Sequence, residues 1–425
     1  MGLSTMEIIK KEIRRLTETP PTWLWGLLFI WGSLILAIYS ESFLECIKAP
    51  IGSDFYKFYL SAKLLLNGES AYWMKDEIIS NSNPTLKAID LLLHPNLNPP
   101  FFNILITPFA IFDYSIAFSV WCILSVLCGV AGINFALRNK KNKEPPLALR
   151  IFLQLIFFSY YPSFSNFTYG QVGFFVFFIL SLALFFCNSN NKIAGGILIG
   201  IAASIKLFCG IFIIMLIFSR SWKLLFYSII TFVFCFFLGA AFSETQDYYR
   251  YFRILRTIDW YGVNWNASYT GFFHRVLSSR YGYNWENAID IFAQLANLLT
   301  GFAACYISFR LTSDVKKNNF SGLFSLAIPA MLIISPLGWS YYFPLLFLML
   351  PRLIEKLKES EWKKIEFPTI IFLLGFSITF LRIGLVSFDG LGNEGWLMNL
   401  LFYGLFCITV AAILINHKQS KKINT

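Results

Sequence analysis

The sequence predicts an all-α, polytopic membrane protein. It should have about ten full transmembrane helices, short re-entrant half-helices, and interfacial helices in its first outer loop. Three observations carry this. Hydrophobic residues make up 56% of the 425 residues and charged ones only 14%, too little polar material to clothe a soluble body of that size. Apolar runs of spanning length recur along the whole chain, as helices that cross a bilayer require. The net charge of +11 sits mostly in short segments between those runs, which is how topology signals are distributed and not how a nucleic-acid surface is built.

Taken in order, residues 1–21 carry Lys10, Lys11, Arg14 and Arg15, which predicts a cytoplasmic N-terminus. The first run, residues 22–40, is too long for a signal-peptide core and lacks a small-residue cleavage site, so it reads as an anchoring helix. It delivers residues 42–98 to the opposite face. Within that loop "SDFYKFYLSAKLLL" has the pattern of an amphipathic interfacial helix, with Ser53 or Asp54 as its cap. Residues 101–112, interrupted by Pro108, are too short to span and predict a half-depth helix. Residues 115–137 form a true span that ends at the basic group Arg138, Lys140, Lys141 and Lys143. Residues 150–162 go out and 172–187 return, joined by the short loop "SFSNFTYGQVG".

The run around "KIAGGILIGIAASIKLFCGIFIIMLIFSR" is basic at both ends, so one crossing would violate the charge rule. Two half-length helices meeting near Lys206 satisfy it. Residues 224–242 lead to a second large outer loop, residues 243–287. Residues 288–311, 321–334, 341–351, 367–386 and 396–416 complete the spans, and residues 417–425 form a basic cytoplasmic tail. No repeat and no separate soluble domain is visible, so residues 1–425 read as one membrane domain. Seven of the eight cysteines lie in or beside apolar runs, with no zinc spacing and no disulfide framework.

The charge rule places every polar and aromatic cluster on one face, which suits a site at the outer rim of the bilayer. Asp54 is either a helix cap or a general base held among aromatics, with Tyr56 and Tyr59 beside it. Lys206 lies within an apolar run, where a cation either snorkels or holds an anion. "NASYTGFFHRVL" offers Asn266, His274 and Arg275: an interfacial anchor, or a phosphate-binding and proton-transferring pair. In "SPLGWSYYFP", Trp339, Tyr341 and Tyr342 fit an aromatic belt or a sugar-stacking platform. Gln171 is a polar helix start. No metal constellation, no Asp-x-Asp on the outer face and no phosphate-cradling Gly-Lys-Ser/Thr loop is present, so no metal and no cofactor is expected.

In order, "SDFYKFYLSAKLLLNGESAYW", "NPPFFNILITPFAIF", "YGQVGFFVFFILSLAL", "GGILIGIAASIKL", "NASYTGFFHRVL" and "SPLGWSYYFPLLF" resemble glycosyltransferase family 87, from about residue 25 to residue 355. The resemblance implies a GT-C fold in a bacterial plasma membrane, with the site facing the periplasm or exterior. It implies transfer of a hexose, mannose by family weight, from a polyprenyl-phosphate donor to a lipid or glycan acceptor in envelope biogenesis. Asp54 matches the family's base. Family members often carry histidines after the Ser-Pro-x-x-Trp motif, where this chain has Tyr341 and Tyr342, so a role for those histidines does not transfer. A transporter or flippase is the competing reading, since broken helices and an intramembrane lysine suit one. A non-catalytic assembly factor is a third.

Overall fold

The computed structural model describes residues 20–49, 53–73, 95–138, 145–258, 261–278, 286–359, 366–381 and 399–422. The expectations for the basic N-terminal segment and for residues 74–94 of the first loop lie outside them. The described residues are helical throughout apart from turns and one isolated bridge.

The chain begins with α1 (Thr22–Lys48), whose residues Leu27, Phe29, Leu34 and Leu36 are all exposed, as on a helix turned to lipid. It continues eight residues past its predicted end. Next come α2 (Asp54–Leu66), the short α3 (Pro100–Ala110) and the long α4 (Tyr114–Leu137). The predicted span 150–162 is two helices, α5 (Leu147–Ser159) and α6 (Tyr161–Thr168), bent by 64° at Tyr160. Pro162, at the second position of α6, lacks the N–H that would continue α5. α7 (Gly173–Asn188) follows.

The run around Lys206 is broken where the charge pattern predicted. α8 (Lys192–Ile205) stops, Lys206 is extended, a 3₁₀ turn covers Leu207–Gly210, and α9 (Ile211–Phe218) completes the pair. α8 packs on α10 (Trp222–Phe242) at close range. A Cβ on Gly196 would lie 2.7 Å from the Leu224 carbonyl, and one on Gly200 2.6 Å from that of Ser228. Small residues four apart let two membrane helices approach this closely.

The second large loop folds as α11 (Asp247–Arg256) and α12 (Tyr269–Ser278). α13 (Glu286–Arg310), the single turn α14 (Thr312–Lys316) and α15 (Ser321–Ile334) follow. Every residue of α15 from Ser321 to Ile333 is buried, so α15 is a central post of the bundle. The predicted span 341–351 differs. Residues Ser340–Met349 form a ten-residue 3₁₀ helix that runs directly into α16 (Leu350–Glu359). Pro344 removes one backbone donor, and the slimmer 3₁₀ coil still covers about 20 Å at about 2 Å per residue. α17 (Phe367–Thr379) and α18 (Leu400–Lys422) pack together at the end of the chain, and α18 runs on into the predicted basic tail.

By length and composition five helices can cross a membrane, or six if α5 and α6 count as one span; six further apolar helices are shorter. Among the described residues the count of ten is therefore not reached on length alone. A small apolar cluster of Ala71, Tyr72, Tyr251 and Ile254 lies apart from the main core and joins the two large loops.

Candidate active site

Asp54 is positioned by the residue before it. The Ser53 hydroxyl caps α2 by accepting from the Phe55 N–H at 3.2 Å. The helix therefore does not need Asp54 as its cap. The carboxylate sits at the first helical position, where the helix dipole favours a negative charge. Phe55, Phe58, Tyr59 and Ala62 bury one face of α2 at helical spacing. That leaves Asp54 and Lys57 together on the other side, with side chains 24% and 14% exposed and Lys57 Nζ 2.5 Å from Asp54 Oδ1. Both side chains keep only a minor part of their surface, so the pair is largely withdrawn from water.

The start of α2 docks on the turn between α6 and α7. The Phe55 N–H and the Ser53 hydroxyl both donate to the Tyr169 carbonyl, at 3.1 and 3.2 Å. Gly170 has φ +62°, and a Cβ there would come within 2.6 Å of the Phe55 Cβ, so both conformation and space demand glycine. Trp121 Nε1 donates to the Gly170 carbonyl at 2.9 Å. This turn presents Gln171, 2% exposed, whose amide Nε2 donates to Asp54 Oδ2. Its Oε1 accepts from the Tyr342 hydroxyl at 3.3 Å. The orientation of Gln171 is thus held from the 3₁₀ helix.

Lys206 reaches the same place from the break in the apolar run. Its Nζ lies 5.2 Å from the centre of the Tyr342 ring, a cation–π contact. Its charge interacts with those of both Asp54 and Lys57. Phe208 stacks edge-on against the same ring at 5.0 Å, and Tyr341 lies 4.9 Å from it. Four segments distant in sequence therefore bring one carboxylate, two lysines, a carboxamide and a phenol into one partly open cluster. Lys57 was not singled out in the sequence. Its i,i+3 spacing from Asp54 on a capped helix was the available signal.

The remaining predicted residues are engaged elsewhere. Tyr56 and Tyr59 pack edge-on against Tyr114, and the Tyr59 hydroxyl donates to the Phe112 carbonyl at 2.9 Å, so both anchor α2 to α4. Asn266 is fully buried. Its amide donates to the carbonyls of Tyr261 and Pro336, and its oxygen accepts from the N–H groups of Ser268 and Gly338. It also forms an isolated antiparallel bridge with Trp339. Arg275 is buried and donates to the carbonyls of Val263 and Asn266 and to Asn399 Oδ1. Burial lowers its guanidinium to about 10, still cationic at neutral pH. His274 is half-buried, its ring 5.4 Å from that of Tyr261. Trp339 is buried beside Tyr341. These residues clip "NASY" to "SPLGW", so in this structure Asn266 and Arg275 support the backbone that leads into the 3₁₀ helix.

A second device joins the two large loops. The Ser70 hydroxyl donates to Asp247 Oδ1 at 2.5 Å, Tyr72 packs edge-on against Tyr251, and Arg250 covers Trp73. Asp247 is fully buried. Burial pushes its carboxyl above the usual range and the Glu244 charge adds to this, while the Ser70 hydrogen bond and Arg250 oppose it.

Comparison with known families gives the chain its class. The model of glycosyltransferase family 87 matches residues 96–336, more than half of the chain, and the chain belongs to that family. Membership makes it a membrane glycosyltransferase. The match takes in Gln171, Lys206, Asn266, His274 and Arg275; Asp54 and the Trp339–Tyr342 group lie outside it. No curated protein and no solved structure matches the chain.

Proposed function

We propose that this glycosyltransferase moves a hexose, with mannose favoured, from a polyprenyl-phosphate donor to a lipid or glycan acceptor at the outer face of a bacterial plasma membrane, on a GT-C scaffold. The observation that carries this reading is the meeting of Asp54 with Gln171, Tyr342, Lys57 and Lys206. One carboxylate, flanked by two lysines, supplies the groups such a transfer needs.

Asp54 takes the proton of the acceptor hydroxyl. The acceptor oxygen attacks the anomeric carbon, and the bond from that carbon to the phosphate oxygen breaks. Polyprenyl phosphate leaves with the electron pair. It is stable as an anion and needs no proton, so a second carboxyl acid is unnecessary. Lysine charge at the phosphate stabilises the developing negative charge, and in-line attack inverts the anomeric configuration. In this reading the lysines carry the charge that a metal would otherwise carry. Tyr341 and Tyr342 wall the sugar, with Tyr342 also holding Gln171. The basic segments support cytoplasmic termini.

The donor class is tested with membranes containing the protein, total lipid extract, and a panel of labelled polyprenyl-phosphate sugars beside nucleotide sugars. Label is expected in lipid or glycan from a polyprenyl-phosphate donor. Transfer from a nucleotide sugar alone would overturn the donor assignment. Substrate flux across sealed vesicles with no transfer would favour the transporter that the broken helix at Lys206 would also suit.

A further inference from the structure

The carboxylate assigned as the base is already occupied on both oxygens. Gln171 donates to Oδ2 and Lys57 is paired with Oδ1. A carboxylate accepts a substrate proton only through an oxygen that the substrate hydroxyl can reach. The two partners differ in how firmly they are held. Gln171 is 2% exposed, its backbone N–H is bonded to the Asn166 carbonyl, and its side chain is braced by Tyr342. Lys57 has a flexible four-carbon stem whose side chain keeps 14% of its surface, and its contact with the Phe58 ring is a distant 5.9 Å. Of the two partners Lys57 has the longer and more flexible stem, so it is the one able to swing from Asp54 to another anion at hand.

Charge supplies the reason to move. Lys57 and Lys206 both lie near the single carboxylate of Asp54 and their like charges oppose each other, so an anion placed between them would relieve that repulsion. An anion is the missing partner. We infer that Lys57 is a donor-sensing switch. It masks Asp54 Oδ1 when no donor is present and moves onto the donor phosphate beside Lys206 when one binds, which frees Oδ1 for the acceptor hydroxyl. Lys57 is then a phosphate-binding residue and the determinant of binding order, with donor before acceptor. The inference rests on the assignment of Asp54 as base, and its test is chosen to be independent of transfer.

The probe is polyprenyl monophosphate, and the readout is equilibrium binding to the purified full-length chain. Removing the Asp54 charge releases Lys57, so Asp54→Asn is expected to bind the probe about tenfold more tightly than wild type. Adding Lys57→Gln to Asp54→Asn should abolish that gain. Lys57→Gln alone should weaken binding about tenfold and raise the donor KM, with kcat lowered as well because Lys57 also carries leaving-group charge, and Lys57→Arg should restore affinity. Thermal midpoints within a few degrees of wild type show that the variants are folded. If Lys57→Gln shifts affinity by less than about twofold, both alone and combined with Asp54→Asn, the switch is overturned and Lys57 is only a structural partner of Asp54. If Asp54→Asn still transfers sugar, the base assignment fails. The binding results still decide whether Lys57 holds phosphate.

Discussion

Two polar clusters in this molecule look alike in sequence and differ in kind. One gathers Asn266, Arg275 and the Trp339 backbone; the other gathers Asp54, Gln171, Tyr342 and the two lysines. In the first, the side chains are buried and bonded mostly to main-chain carbonyls and amides. Such groups have exchanged water for backbone and are costly to disturb. In the second, side chains bond to side chains, and the two charged residues at the start of α2 keep part of their surface open. Polar groups committed to backbone hold a fold, whereas those committed to one another across a half-open site are available to a substrate.

Substitutions sharpen this contrast. The largest effect on stability is expected at the buried clasp. Asn266→Ala and Arg275→Ala each strand buried carbonyl or amide groups and should cost about 3 kcal/mol, seen as a fall of several degrees in thermal midpoint. Activity per folded molecule should change far less. A loss of transfer at unchanged stability for Arg275→Ala would move that residue into the active site.

Gln171→Leu should show the reverse pattern. It keeps the volume of the side chain and releases Asp54 Oδ2, so kcat should fall about thirtyfold with the thermal midpoint nearly unchanged. An equal fall in stability would reduce Gln171 to a packing residue. Tyr342→Phe removes only the hydroxyl that braces Gln171, and a loss of about fivefold in kcat is expected. Tyr341, whose side chain makes ring contacts, should tolerate Phe without loss.

The smallest effect concerns the clasp between the two large loops. The raised carboxyl of Asp247 means that the folded state favours its protonated form. Its contribution to stability is complete below the unfolded carboxyl range and is lost as pH rises through the raised folded value. Midpoints measured across that range should fall with rising pH for wild type and fall less for Asp247→Asn. Parallel curves would remove Asp247 as the origin.

Much of this arrangement was legible in the sequence because membrane burial imposes strong patterns. Apolar runs marked the helices, and the basic residues at both ends of the run around Lys206 forced a break that the structure contains. Asp54 stood out as a carboxylate beside a span. What was not legible depended on tertiary partners. Spacing left Ser53 and Asp54 equal as caps; contact with the Tyr169 carbonyl favours Ser53 and leaves the carboxylate to Gln171. Asn266 and Arg275 have the chemistry of a phosphate site, and only their buried backbone partners mark them as a clasp. The ten-residue 3₁₀ helix had a signal in Pro344, but its continuous burial against α7 and α15 is a tertiary fact. Ser70 and Asp247 are 177 residues apart, and no local pattern joins them.

The central claim is that the open cluster performs the chemistry through Asp54. Asp54→Asn keeps size and hydrogen-bonding capacity and removes only the basic charge. With the polyprenyl-phosphate donor that supports wild-type transfer, this variant should retain its thermal midpoint and lose roughly a thousandfold in rate. Transfer by Asp54→Asn at the wild-type rate, from the same donor to the same acceptor, would contradict the account.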